Sequence, residues 1–462
     1  MRTQLFGRLL PLALLCTAPQ TGCSDLFASY LRFGDTSDGG VADAGEPVDL
    51  LGLDLTGVDL TGFPTPDMTP PPPCDFSPGA TTAAPNLPFL GTETQLAGNL
   101  TDGSRVAIGD FDKNGLADIA IATHNVGNGN VSVSVLLQTA ACTFTPMPVP
   151  IPSATASGFV LQDFRALPIN TVNATRPQWD IGLLGLNKKL IWCRHNSGQQ
   201  FDCISSDVPD NIVDTTKEKR FVVDERGRVH GDFVLIHQKG APDFVVRVLR
   251  SGTTFTSTKI LPGTVATLEP GIAVGARFGE DAPVVGMLGY GSGGTTTGVA
   301  EMSRSSGANY IYAFTPPTAA TINPFESYLY AGHFTADDFD DLISLPKSGS
   351  RPLQTFEFKG ATAAQPTGTL TLNATARDLV AVNDLDGNGL DELTYVTTGS
   401  MTIQPYKYSA GTLSTAGPGQ SLGHTIVGYA IGQVGPSHSR PDIVYIDGTK
   451  VYIRRANPAY VP

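Results

Sequence analysis

Charge is scarce in this chain: Asp, Glu, Lys and Arg make up 16% of its 462 residues, against roughly a quarter in an ordinary soluble domain. Positive charge is the scarcer sign, with 30 Lys and Arg against 43 Asp and Glu and a formal net charge of −13. A basic face for nucleic acid has little to be built from, so no nucleic-acid partner is expected. Cysteines spaced C-x-x-C are absent, which removes support for zinc ribbons and thioredoxin-like redox chemistry. The seven histidines (124, 195, 230, 237, 333, 424, 438) include no His-x-x-x-His pair for zinc. Ser292 and Ser305 have neighbouring glycines but stand in no G-x-S-x-G elbow. Arg-Gly-Asp is also missing. No segment carries a long helical period.

What the chain does have is turn chemistry. Fifty-one glycines and 35 prolines favour turns and extended segments over helices, while 41% hydrophobic residues are enough for a large core and exclude wholesale disorder. The expectation is a turn-rich, all-β protein.

The first residues read as an export signal. Arg2 and Arg8 form a positive n-region, and Leu9-Leu10-Pro11-Leu12-Ala13-Leu14-Leu15 is a short apolar h-region. Gln20-Thr21-Gly22-Cys23 resembles a bacterial lipobox, although an aliphatic residue is usual where Gln20 stands. The resemblance implies cleavage after residue 22 and lipidation of Cys23, with plain secretion as the alternative. No other stretch reaches the ~18 apolar residues of a spanning helix, so contact with a membrane is expected through lipid alone. Residues 23–86 follow as an acidic, Pro-rich linker containing Gly39-Gly40, Asp49, Asp54, Asp59 and Pro70-Pro71-Pro72-Pro73. Its composition leaves too little burial to offset chain entropy, and the proline run suits a semi-rigid spacer.

Four cysteines remain after Cys23, an even number in a chain read as exported. Cys193 and Cys203 flank Asn196-Ser197-Gly198, a turn signal, so a disulfide closing a hairpin is expected there. Cys74 with Cys142 would then pin the linker to the folded domain, although four cysteines allow three pairings.

A repeat fills the rest. Ile108-Gly109-Asp110-Phe111-Asp112-Lys113-Asn114-Gly115-Leu116-Ala117-Asp118-Ile119 returns as Val382-Asn383-Asp384-Leu385-Asp386-Gly387-Asn388-Gly389-Leu390-Asp391-Glu392-Leu393. A degraded copy runs from Ala331 to Ile343, with Asp337 and Asp341 as isolated candidates. Weaker echoes keep only an acid before an apolar strand, at Asp180, Asp243 and Asp442, and a seventh unit at Val274–Phe278 lacks the acid. Intervals of roughly 40 to 63 residues suit propeller blades of about four strands. Seven units over residues 87–460 predict one seven-bladed β-propeller rather than several domains.

The loop spacing carries specific chemistry. Asp110, Asp112 and Asn114 at positions 1, 3 and 5 direct alternate side chains at one centre. Gly115 permits the turn, the Leu116 carbonyl is available at position 7, and Asp118 closes the set at 9. Asp384, Asp386, Asn388, Leu390 and Glu392 repeat the scheme. A hard-oxygen cage of this kind suits Ca2+, and Ile121 or Tyr395 at position 12 distinguishes it from an EF-hand. Calcium here would be structural, since no position suggests an activated water.

These residues resemble the FG-GAP/VCBS repeat, as in the propeller of integrin α-subunits. The likeness is strong in two units and partial in a third. It implies a calcium-stabilised, surface-exposed propeller concerned with adhesion or ligand binding. Together with the lipobox and linker, it implies a bacterial surface lipoprotein of the outer membrane or cell surface. The partner would be an extracellular protein or glycan. The alternatives are a polysaccharide-active enzyme with its site in the channel, or a structural spacer.

Other signals are weaker. Gly289-Tyr290-Gly291-Ser292-Gly293-Gly294 matches G-x-G-x-x-G, but Thr295-Thr296-Thr297 after it cannot open a phosphate-binding helix. Lys217, Lys219, Arg220, Arg226 and Arg228 form the one basic cluster and read as a solvated loop. Trp179, Trp192, Tyr290, Tyr310 and Tyr312 could stack on sugars, although large aromatics in strands are more often core.

Overall fold

The computed structural model describes 29 strands between residues 90 and 456, with turns that include 110–117, 384–391, 416–427 and 447–450. Residues 1–89 and 457–462 and a number of inter-strand loops lie outside the described part. Cys23, Cys74 and Cys142, the export signal, the linker, Asp243, Asp337 and the glycine run after Tyr290 all fall there. No helix occurs among the described residues.

The strands form seven antiparallel sheets. After β1 (Leu90–Ala97), sheet 1 is β2 (Arg105–Gly109), β3 (Asp118–Asn125), β4 (Asn130–Gln138) and β5 (Phe144–Val149). Sheet 2 is β6 (Leu161–Ile169), β7 (Gln178–Gly185), β8 (Lys189–His195) and β9 (Phe201–Asp207). Sheet 3 is β10 (Lys219–Val222), β11 (Val234–Gln238), β12 (Phe244–Ser251) and β13 (Thr254–Ile260). Sheet 4 is β14 (Leu268–Gly275), β15 (Val284–Tyr290), β16 (Thr297–Arg304) and β17 (Tyr310–Thr315). Sheet 5 is β18 (Ser327–Gly332), β19 (Asp341–Pro346), β20 (Pro352–Lys359) and β21 (Thr362–Thr371). Sheet 6 is β22 (Val380–Asn383), β23 (Glu392–Val396), β24 (Thr402–Ser409) and β25 (Thr412–Thr415), with β26 (Gln420–Ser421) also on β24. Sheet 7 combines β27 (Gly428–Gly432), β28 (Asp442–Ile446) and β29 (Val451–Ala456) with β1 from the other end of the chain.

The first strands of the sheets touch in cyclic order, β2–β6–β10–β14–β18–β22–β27 and back to β2. That arrangement is a β-propeller. Each sheet lies between two others, so both faces of its middle strands are covered and those strands can be apolar throughout. Asp442-Ile443-Val444-Tyr445-Ile446 of β28, for example, is buried at every position. The core accordingly lies between sheets. Val133 and Val135 of sheet 1 pack with Phe164, Ile181 and Ile191 of sheet 2. Ile119 and Ile121 pack with Val444 and Ile453 across the seam. Phe334 and Ile343 of sheet 5 meet Leu393 and Tyr406 of sheet 6.

A glycine ends the first strand of sheets 1, 4, 5 and 7, and in sheets 1, 5 and 7 it lies against side chains of the adjoining sheet. A Cβ on Gly332 would lie 2.4 Å from Cγ1 of Val382, and one on Gly432 would lie 3.1 Å from Ile108. Side-chain volume is excluded there by the adjoining sheet, whatever the backbone conformation.

Candidate metal centres

The two strong repeat loops each gather three carboxylates. Asp110, Asp112 and Asp118 have oxygens within 4.8 Å of one another, and so have Asp384, Asp386 and Glu392. Each loop joins the first and second strands of its sheet, β2 to β3 and β22 to β23. The final acid of each set is the first residue of the second strand and is buried, Asp118 fully and Glu392 at 2% exposure.

Local hydrogen bonds hold the loops in this shape. In loop 1 the Asp118 carboxylate accepts from the N–H of Phe111 (2.9 Å), Asp112 (3.3 Å) and Gln138 (2.8 Å), tying the loop to the end of β4. Asp110 accepts from Gly115 N–H at 2.9 Å, and Asp112 from Asn114 N–H at 3.0 Å. Loop 2 repeats the scheme, with Glu392 accepting from Leu385 N–H (2.7 Å), Asp384 from Gly389 N–H (2.8 Å) and Asp386 from Asn388 N–H (2.9 Å). Gly115 and Gly389 both sit at φ 88°, in the left-handed region the turn needs. Gly387 takes φ 76° at the position where loop 1 has Lys113 at φ 66°.

Of the ten residues whose spacing suggested a cage, the structure brings the six carboxylate residues together. Asn114 and Asn388 are in the same turns, but their side-chain oxygens accept from Leu116 N–H (2.7 Å) and Leu390 N–H (2.6 Å). Burial and mutual repulsion leave the acids poorly suited to carry charge alone. Burial, reinforced by the Asp112 charge, pushes Asp118 up to about 7. Burial, reinforced by Asp386 and Asp384, pushes Glu392 up to about 8, and burial also raises Asp386. A divalent cation among them would reverse both effects, and an all-oxygen donor set fits calcium chemistry.

The degraded loop is built differently. Phe334 is buried like Phe111 and Leu385, but Thr335 Oγ1 donates to buried Asp341 at 2.9 Å. Its His333 N–H donates to Asp391 of loop 2 at 2.6 Å, while Asp391 N–H donates to the His333 carbonyl at 2.7 Å. This link between sheets escaped sequence reading because Asp391 looks like an eighth-position spacer. Asp180 and Asp442, the weak echoes, are fully buried. Asp180 accepts from Trp192 Nε1 at 2.6 Å and from Arg194 Nε at 2.9 Å. Asp442 accepts from Val434 N–H at 3.2 Å and lies 3.6 Å from Arg455 Nε.

Beside loop 1 a cleft of about 700 Å³ is lined by Asp112, Asn114, Thr139, Met147, His195 and Asn196, among others. It lies between sheet 1 and the β8–β9 turn of sheet 2. His195 packs edge-on against Phe201, and its burial lowers the ring's proton affinity. Between the first strands of sheets 1, 2, 6 and 7, a narrower space is lined by Val106, Ile108, Ala166, Ala381 and Ile431, together with Arg165, Trp179 and Tyr429.

One motif was overlooked in the sequence: Gly419-Gln420-Ser421-Leu422-Gly423 fits G-x-S-x-G and precedes His424. The structure gives it a different use. Gln420 clamps β1, accepting from Leu90 N–H at 2.9 Å and donating to the Leu90 carbonyl at 3.1 Å. Both ring nitrogens of His424 face carboxylates, Glu93 at 3.1 Å and Asp447 at 3.4 Å, and residues 422–434, which follow Ser421, hold no helix. Trp192, weighed as a sugar platform, is core at 1% exposure, whereas Trp179 is half-buried.

No family profile matches the chain, and no curated protein matches it. Solved structures do. BBS1N in complex with ARL6DN aligns at TM-score 0.48 and 8% identity, covering 81% of this chain and 98% of that one. The Aleuria aurantia lectin, described as a six-bladed β-propeller with a fucose recognition mode, aligns at 0.40 and 10%, covering 71% and 98%. A putative 6-phosphogluconolactonase from Bacteroides fragilis aligns at 0.42 and 11%, covering 66% and 81%.

Proposed function

We propose that this chain is a non-catalytic, calcium-stabilised propeller of the FG-GAP/VCBS type, with seven blades, carried on the cell surface by a lipid on Cys23. It would serve as a binding or adhesion module. The observation that carries the calcium reading is the pair of matching carboxylate triads, Asp110/Asp112/Asp118 and Asp384/Asp386/Glu392, each with a buried acid whose charge is disfavoured without a cation. Bound calcium would fasten the first two strands of sheets 1 and 6. In sheet 1 it would also stiffen one wall of the cleft lined by Asp112, Thr139, His195 and Asn196.

That cleft is within the size range of ligand pockets, and its mixture of amides, hydroxyls and one thioether suits a hydroxyl-rich ligand such as a glycan. The described space between the first strands of sheets 1, 2, 6 and 7 is lined by aliphatic and aromatic side chains together with Arg165. Calcium titration calorimetry on the folded protein tests the core of the proposal. Two ions per chain are expected, falling to one in Asp112→Ala and one in Asp386→Ala. Unchanged stoichiometry in both variants removes the ligand assignment. Screening the calcium-loaded protein on a glycan array, with His195→Ala as comparison, tests the cleft.

A further inference from the structure

An acid at or near the start of the second strand recurs in sheets 1, 2, 5, 6 and 7, and the residue facing it across the sheet differs from one sheet to another. In sheet 2 the register pairs Ile181 with Cys193, so Asp180 faces Arg194. In sheet 7 it pairs Ile443 with Arg454, so Asp442 faces Arg455. Both acids are fully buried, and the arginines reach them, Arg194 Nη2 at 2.9 Å and Arg455 Nε at 3.6 Å. In sheet 1, Ile119 pairs with Leu136, so Asp118 faces Leu137. In sheet 6, Leu393 pairs with Tyr406, so Glu392 faces Lys407, which makes no ion pair with it. Asp118 and Glu392, which have no arginine opposite, both sit in carboxylate triads, whereas buried Asp341, which opens β19 and lies opposite Glu357, joins no triad among the described residues and accepts from Thr335 Oγ1 at 2.9 Å.

We propose that Arg194 and Arg455 are built-in substitutes for the metal ion. The propeller neutralises the same buried carboxylate with a guanidinium in sheets 2 and 7 and with a divalent cation in sheets 1 and 6. Both devices place positive charge against a carboxylate that cannot be hydrated. A guanidinium is permanently charged and reaches from the neighbouring strand, so it needs no additional acids. An ion needs several oxygens, which is why the loop acids at the first and third positions accompany it only where the arginine is missing. Sheets 2 and 7, which adjoin sheet 1 on either side, thereby neutralise this carboxylate without metal. The inference rests on the calcium reading for its metal half alone.

The test moves the device from one sheet to another. Leu137 borders the cleft beside loop 1, which leaves room for a longer side chain. Leu137→Arg should bind one calcium instead of two, and its melting temperature in EDTA should exceed that of the parent; Leu137→Met should keep both ions. Arg194→Met should lower the melting temperature by the same amount in calcium and in EDTA. Two ions bound by folded Leu137→Arg would overturn the proposal. If that variant does not fold, Arg194→Met decides, and a melting temperature equal to the parent's would overturn it as well. Failure of the calcium reading is a separate outcome: the parent then binds no ion, while the Leu137→Arg gain in EDTA and the Arg194→Met loss remain.

Discussion

At the scale of single residues, the two buried acids of the loops make the fold sensitive to both protons and metal. Asp118 is pushed up to about 7 and Glu392 to about 8, whereas both titrate near 4 in an unfolded chain. A raised folded value means that protonation stabilises the fold. That contribution is complete below about pH 4 and is lost as pH rises through about 7 and 8. The metal-free propeller should therefore weaken from pH 5 to pH 8.5. Calcium replaces the protons, so the rise in melting temperature on adding it should be small at pH 5 and larger at pH 8.5. Melts with and without EDTA at the two values check this, and a calcium increment independent of pH would exclude these carboxylates as ligands. The triads were legible in the sequence because their spacing is local: positions 1, 3 and 9 of one turn are enough. Arg194 and Arg455 were not, because their partners lie a strand away and only the cross-strand register identifies them.

At the scale of elements, the β8–β9 hairpin shows what local signals can settle. Cys193 and Cys203 flank a turn signal, and the structure joins them by a disulfide with Cα atoms 4.0 Å apart at directly paired positions. Cys193 is fully buried within the core between sheets 1 and 2. Replacing both cysteines with alanine should cost about 2–3 kcal/mol, the chain-entropy value for a short loop, measured as a lower urea midpoint with unchanged calcium stoichiometry. A larger loss would mean that packing of Cys193 matters more than the cross-link. Alternation in β4, buried at Val131, Val133 and Val135, also signalled a strand directly. Strands buried on both faces, such as β28, carry no alternation, and the weak echo at Asp442 was the sequence's main marker for that sheet.

At the scale of the whole molecule, the ring is closed by β1 pairing with β29, from Leu90 opposite Ala456 to Ala97 opposite Val451. Side chains reinforce the seam: Tyr445 donates to Glu93, Arg454 lies 3.4 Å from the same carboxylate, and His424 is stacked on Tyr452 with its ring between Glu93 and Asp447. Glu93→Ala removes the acceptor shared by three groups and should destabilise the protein by about 2–3 kcal/mol, as for charged hydrogen bonds. Denaturant unfolding measures it, and a change within ±0.5 kcal/mol would show the seam to depend on backbone pairing alone. Nothing in the sequence near Glu93 announced this role, because its partners lie more than three hundred residues away. The same pairing bears on biosynthesis. Of the described strands, the one that completes sheet 7 is made first and the edge it must join is made last. A chain cut short before β29 leaves Leu90–Ala97 with no edge to join. Closure thus acts as a test of chain length, and a nascent or prematurely terminated product would remain open to proteolysis and quality control.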